Sequence, residues 1–170
     1  ERDNESRIHS DLDAMAEAAL RERASLVFIC NPGNPSGEAI PAVAIKTLAE
    51  RLRGKALLVV DAAYAEFADT DDRVALLDAT DNVVILRTLS KAHALAAARI
   101  GSVIAAPEVI AMLQRCQAPY PLAQPAVEAA LSALAPDALA RTRRAAGQVR
   151  DARERLRQRL QGVAGVRRVY

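Results

Sequence analysis

The sequence predicts an α/β fold, a mainly parallel sheet covered by helices. Three observations predict it. Short continuous apolar runs recur at Ser25–Cys30, Ala56–Val60, Asn82–Leu86 and Ile100–Ala105. Stretches of helical periodicity stand between or beside them, and turn-forming residues mark the changes. Parallel strands cannot be joined by a tight turn and need a crossover of a dozen or more residues, so the alternation itself argues for parallel pairing.

In chain order, Asp11 is placed to cap a helix running to about Arg23, with Leu12, Met15, Ala19 and Leu20 on one face. Ser25-Leu-Val-Phe-Ile-Cys30 reads as a strand buried on both faces. Asn31-Pro-Gly-Asn-Pro-Ser-Gly37 has a turn residue at every position. A helix follows from Pro41 to about Arg53, with Val43, Leu48 and Leu52 inward, and Gly54 stops it. Ala56–Val60 is the second buried strand, ending at Asp61, and Asn82–Leu86 the third. Ile100–Ala105 is the fourth, interrupted near its start by Gly101. After Pro107 the strand signals stop. Helices fit 107–116, 125–134 and 137–161, the last broken or weakened at Gly147. Its arginines alternate with Asp151 and Glu154, Asp151 to Arg155 having the favourable order, as on a solvated face. Val166-Arg-Arg-Val-Tyr170 reads as a strand just beginning.

The 170 residues suit one domain, or one and part of a second, and a 51% apolar share suffices for a core. Net charge is only +2, and the chain has three Tyr, two Phe and no Trp. Both facts argue against a nucleic-acid surface. No apolar run approaches the ~20 residues that span a bilayer. The charged opening Glu1–Glu5 is not a signal peptide, and the missing initiator Met suggests a piece of something longer. Cys30 and Cys116 are too few for a disulfide framework and read as buried or half-buried free thiols in a reducing compartment. His9 and His93 lie far apart, there is no C-x-x-C, and no metal is expected. The expected protein is soluble and cytoplasmic.

In open parallel sheets ligands sit beyond the carboxyl ends of the strands. Three polar groups fall there: the Asn31–Gly37 turn, Asp61 with Tyr64 three residues on, and Thr88-Leu-Ser-Lys91. A carboxylate at a buried strand end needs a positive or hydrogen-bonding partner; Asp61 reads either as a cap or turn residue or as an acid that keeps a heterocyclic nitrogen protonated. Only three lysines occur, Lys46, Lys55 and Lys91. A lysine near a strand end can be desolvated and act as an amine nucleophile, which arginine cannot. Lys46 and Lys55 read as surface residues. Two hydroxyls, Thr88 and Ser90, with Arg99, suit a phosphate dianion.

A nucleophilic lysine, a phosphate site beside it and an acid for a pyridine nitrogen are what pyridoxal 5′-phosphate needs. Through Asn31–Gly37, Val59-Val-Asp-Ala-Ala-Tyr-Ala-Glu-Phe67 and Arg87-Thr-Leu-Ser-Lys-Ala-His-Ala-Leu-Ala-Ala-Ala-Arg-Ile-Gly101, in this order and separation, the chain resembles the fold-type-I pyridoxal-phosphate-dependent aminotransferases. Ala118-Pro-Tyr-Pro-Leu122 resembles the family's following loop, and Arg-Thr-Leu-Ser-Lys leans towards its histidinol-phosphate branch. The resemblance implies that Lys91 is the catalytic amine joined to the cofactor, that Asp61 pairs with the pyridine nitrogen, that Asn34 and Tyr64 hydrogen-bond the phenolic oxygen, and that Thr88, Ser90 and Arg99 hold the phosphate. It implies amino transfer between L-histidinol phosphate and 2-oxoglutarate in histidine biosynthesis, small-molecule partners, and a homodimer of the parent chain.

Against the family pattern, position 62 is Ala where Glu is usual, and His93-Ala94 replaces Phe-Gly. His93 reads as packing or local hydrogen bonding. Family members are about twice as long, so the resemblance implies an internal fragment. Residues 1–136 are then part of the cofactor-binding large domain, 137–161 a connecting helix, and 162–170 the beginning of a small C-terminal domain. An aromatic aminotransferase, a threonine-phosphate decarboxylase and a non-catalytic cofactor-binding module remain alternatives.

Overall fold

A computed structural model describes residues 9–69 and 75–169. Four strands form one sheet in the order β1-β2-β3-β4: β1 Leu26–Cys30, β2 Leu57–Asp61, β3 Val83–Thr88 and β4 Gly101–Ala105. The first three pair in parallel and β4 runs antiparallel to β3. The predicted mainly parallel α/β architecture is therefore what the chain adopts.

Helix α1 (Leu12–Arg21) starts where Asp11 accepts a hydrogen bond from the Ala14 amide, as the cap predicts. Ala16 and Ala19 are its buried residues; Leu20, expected inward, is exposed. The small alanines let α1 lie close against α2 (Ala42–Leu52), and Arg51 pairs with Asp13 across the two. On α2, Ile45, Leu48, Ala49 and Leu52 are buried, whereas Val43, also expected inward, is 71% exposed. Positions 45, 48, 49 and 52 make an i, i+3, i+4, i+7 stripe that Val43 falls outside. Gly54 follows at φ +69, a left-handed stop open to glycine at little cost.

One face of the sheet is dry. Val27 and Ile29 of β1, Leu58 and Val60 of β2, and Val83 and Ile85 of β3 pack with α1, α2 and the short α3 (Leu76–Ala79) into a single core. The opposite face differs. Val59 and Val84 are buried there, but Leu26 and Phe28 of β1 are 52% and 59% exposed. The expectation that β1 is buried on both faces fails, because among the described residues no layer covers that end of the second face. For the same reason Cys30 is exposed rather than buried; Cys116, at the end of α4 (Pro107–Cys116), is exposed too, and both are free thiols.

Gly101 opens β4 where a Cβ would lie 3.0 Å from the Arg87 carbonyl oxygen, so a side chain there would push the neighbouring strand aside by a few tenths of an ångström. Beyond β4, α4 packs on β4, α5 (Gln124–Ala133) on the 96–98 turn, and α6 (Pro136–Gln161) on the 65–67 turn. The 26-residue α6 runs unbroken through Gly147, against expectation. One glycine costs only about 1 kcal/mol, and Ala, Arg and Leu dominate the rest of that helix. The ion pair seen on its charged face is Glu154–Arg157. Residues 166–169 form no strand; Gly165 turns at φ +88 and no neighbouring strand pairs with them. Tyr170, the end of that expected strand, lies outside the described residues.

Candidate functional site

The site grows from the carboxyl ends of β1, β2 and β3. At the first, Asn31 is fully buried. Its Nδ2 donates to the Ile40 carbonyl at 3.0 Å and its Oδ1 accepts from the Ile40 amide at 2.9 Å. One side chain thereby closes the loop 31–40 on itself. The Asn31 amide donates to the Asp61 carbonyl at 2.9 Å, fixing the loop base to β2. Within the loop the Gly37 amide donates to the Gly33 carbonyl, and Gly37 takes φ +70. The result presents Asn34 at an exposed tip, where its Nδ2 donates to the Tyr64 hydroxyl at 3.2 Å.

Asp61 is the last residue of β2 and half-buried. Its Oδ1 accepts from the Ala63 amide at 3.1 Å, a local turn that starts the segment carrying Tyr64. β3 then delivers Thr88, and the chain turns sharply through Leu89–Leu95. The Ala94 amide donates to the Lys91 carbonyl and the Leu95 amide to the Leu89 carbonyl. Ala94 sits at φ 56 and Arg99 at φ 56, both left-handed. Lys91 is exposed, whereas most of the rest of its turn is half-buried. Its Nζ lies 5.4 Å from the centroid of the Tyr64 ring, within reach of a cation–π contact.

Thr88 and Ser90 form a unit. The Ser90 amide donates to Thr88 Oγ1 at 3.1 Å, the two hydroxyl oxygens are hydrogen-bonded at 2.9 Å, and Thr88 Oγ1 also lies 3.4 Å from the Ile100 carbonyl oxygen. Arg99 is exposed and its Nη1 donates to the Ala96 carbonyl at 3.1 Å. The structure thus gathers Asn34, Tyr64 and Lys91 around one point, with Asp61 at the strand end beside them, and joins Thr88 to Ser90. No hydrogen bond brings Arg99 to that pair.

Sequence reasoning passed over Glu66 and Arg87. Glu66 Oε1 accepts from Arg87 Nη2 at 2.8 Å, and both side chains are largely buried, at 19% and 22% exposed. The available signal was an arginine inside the otherwise apolar β3. His93, two residues past Lys91, is 8% exposed, and its Nε2 lies 3.7 Å from the same Glu66 oxygen. These three residues line a cavity of about 740 Å³ between the sheet and helices α5 and α6. Thr88 also lines that cavity but Asp61, Tyr64 and Lys91 do not, so it adjoins the cluster of reactive groups without containing it.

Comparison with known proteins bears on this arrangement. The family model for aminotransferase class I and II matches residues 2–168. The histidinol-phosphate aminotransferase of Stenotrophomonas maltophilia is 54% identical over 168 residues, 99% of this chain and 46% of that protein. Its counterpart in Xanthomonas campestris pv. campestris is 53% identical over 163 residues, 96% of this chain and 45% of that one. The chain thus spans less than half the length of these relatives. Among solved structures, histidinol-phosphate aminotransferase from Sinorhizobium meliloti in complex with pyridoxal-5′-phosphate superposes with a TM-score of 0.79 at 33% identity, covering 87% of this chain and 40% of that one.

Proposed function

This chain belongs to the class I and II aminotransferases, and from that premise we propose that it is the part of a pyridoxal-phosphate-dependent transaminase that carries the reactive lysine. We further propose L-histidinol phosphate as amino donor and 2-oxoglutarate as acceptor, the reading that relatives 53–54% identical favour. The carrying observation is the meeting of Lys91 with the Tyr64–Asn34 pair beside Asp61, at the carboxyl ends of adjacent strands.

The donor set fits the cofactor by its chemistry: one primary amine, one strand-end carboxylate, a phenol with an amide, two linked hydroxyls and an arginine. When bound, pyridoxal phosphate supplies an aldehyde for amines and a cationic ring that withdraws electrons from the substrate's Cα. Lys91 Nζ is the nucleophile of this chain. As a free amine beside bound substrate, Nζ would be the base that carries the proton lost from the substrate's Cα to the cofactor's former aldehyde carbon. Asp61 accepts a hydrogen bond from a protonated ring nitrogen and so keeps the ring cationic. The Tyr64 hydroxyl and Asn34 Nδ2 donate to a phenolate oxygen. The Ser90 and Thr88 hydroxyls and Arg99 would hold a phosphate dianion, anchoring the ring while bonds change at the other end. A homodimer acting in the cytoplasm on small molecules completes the reading; among the described residues no helix is long and apolar enough to cross a membrane.

The test is cofactor capture. Pyridoxal 5′-phosphate is added, the adduct reduced with borohydride, and the modified peptide mapped. One label per chain on Lys91, with Lys46 and Lys55 untouched, is expected. Labels spread over all three lysines refute the site. A substrate panel on the protein, including aromatic amino acids and phosphothreonine, then decides the donor; fastest turnover on either of those rejects histidinol phosphate.

A further inference from the structure

Two turns meet at this site, and each carries a pair of residues at i and i+2. One carries Tyr64 and Glu66, the other Lys91 and His93. The pairs face each other at two points. Lys91 Nζ lies over the Tyr64 ring at 5.4 Å, and His93 Nε2 lies 3.7 Å from Glu66 Oε1. The first contact sets an exposed lysine over a half-buried ring. The second is buried. His93 is 8% exposed and Glu66 19%, and buried polar groups hold their place because leaving them unpaired is costly.

Glu66 is itself held from other directions. Arg87 of β3 donates to the same carboxylate oxygen at 2.8 Å. From α6, Arg150 Nη1 donates to the main-chain carbonyls of Glu66 and Ala68 at 3.3 and 3.4 Å. The Tyr64–Glu66 turn is therefore anchored to the sheet and to α6 independently of the lysine turn. His93 Nδ1 is buried without a partner, so the imidazole's polar contact is on the Glu66 side.

We propose that His93 and Glu66 form a positioning pair that sets the separation at which Lys91 meets Tyr64. Neither touches the reacting atoms. They act through the turn: with Glu66 fixed by Arg87 and Arg150, His93 fixes where the Leu89–Leu95 turn sits, and hence where Nζ stands. The inference rests on the proposed reading that Lys91 is the reactive amine, and deepens it.

The experiment has two readouts on the protein and on its His93→Phe, His93→Gln and Glu66→Gln variants. One is hydrogen exchange of the Ala94 and Leu95 amides in cofactor-free protein. The other is the rate of borohydride-trapped capture of pyridoxal 5′-phosphate on Lys91. His93→Phe and Glu66→Gln should each speed exchange at those two amides about tenfold, as loss of a buried polar contact does, while Leu58–Val60 of β2 are unchanged. Capture on Lys91 should slow in the same two variants. His93→Gln, which keeps a donor towards Glu66, should recover most of both, and the double variant His93→Phe with Glu66→Gln should be no worse than either single one. If His93→Phe behaves like the unaltered protein in both readouts, the side chain only fills space and the proposal falls. A uniform rise in exchange across the sheet also overturns it. If the exchange effects hold while the unaltered protein takes no label on Lys91, the clasp stands and the proposed function fails.

Discussion

Asn31→Ala is the substitution on which the construction of the site turns. Asn31 is fully buried and makes one donated and one accepted hydrogen bond with the backbone of Ile40, itself only 7% exposed. Truncation removes both and leaves a buried N–H and a buried C=O with no partner. Each such orphan costs about 1–3 kcal/mol, so the combined loss is about 2–5 kcal/mol after some relaxation. Against a typical total of about 5–15 kcal/mol that is a large share. Asn34→Ala is the control: its hydrogen bond to Tyr64 is exposed, and a loss under about 1 kcal/mol is expected. Urea denaturation followed by circular dichroism measures both, compared at constant slope. Asn31→Ala should also weaken cofactor capture although its side chain is turned away from Asn34, because the loop would no longer hold Asn34 over Tyr64. A loss for Asn31→Ala under about 1 kcal/mol, or no larger than that for Asn34→Ala, would refute the claim that this one side chain closes the loop.

Lys91→Arg should abolish trapped label while changing stability by less than about 0.5 kcal/mol, since the position is exposed and arginine keeps the charge but not a free amine; mass mapping and urea melts read the two effects. Ala94→Gly should raise stability by up to about 1 kcal/mol in the same melts, because alanine at φ 56 is strained by about 1–2 kcal/mol and glycine returns only part of that through unfolded-chain entropy. Arg157 donates two hydrogen bonds to Glu154 and holds its carboxyl down at about 2, from an ordinary 4.5. The pair's support for α6 is therefore complete above about pH 4.5 and lost as pH falls through about 2. The helical signal of the protein should exceed that of Glu154→Gln by a small margin at neutral pH, and that margin should vanish in acid.

Much of this was legible in the sequence, for identifiable reasons. Continuous apolar runs locate strands well, and all four appeared within two residues of their expected ends. Asp11 announced its own helix by cap chemistry that needs nothing distant. What failed was direction. Leu20 and Val43 are apolar and near the right period, yet they are exposed, because alanines at 16, 19 and 49 let the helices approach and these packed positions define the stripe. An apolar run likewise cannot state whether both faces of its strand have neighbours, and Phe28 does not. At the site, residues announced by motif lie at strand ends where the topology rule puts them. Glu66 went unread because its partners, Arg87 and His93, are distant in sequence and meet it only in the fold.

The two faces of the sheet are unequally covered, and alternation along the strands puts Asp61 and Thr88 on the less covered one, with Val59 and Val84. Parallel strands as a rule are covered on both sides, and here the covered face alone carries the contiguous core. Asn31, Asp61 and the lysine turn are tied to the sheet by backbone bonds: Asn31 to Asp61, Ala62 to Leu86, and Leu89 to Ile100. These bonds place the strand-end segments that carry Asp61 and Lys91. The second face is otherwise thinly covered among the described residues. Leu26, Phe28 and Val103 stand exposed on it, and an uncovered apolar sheet face invites association. Charge placed at Phe28 should lower that tendency to associate, and loss of Asn31 should loosen the loop that carries Asn34.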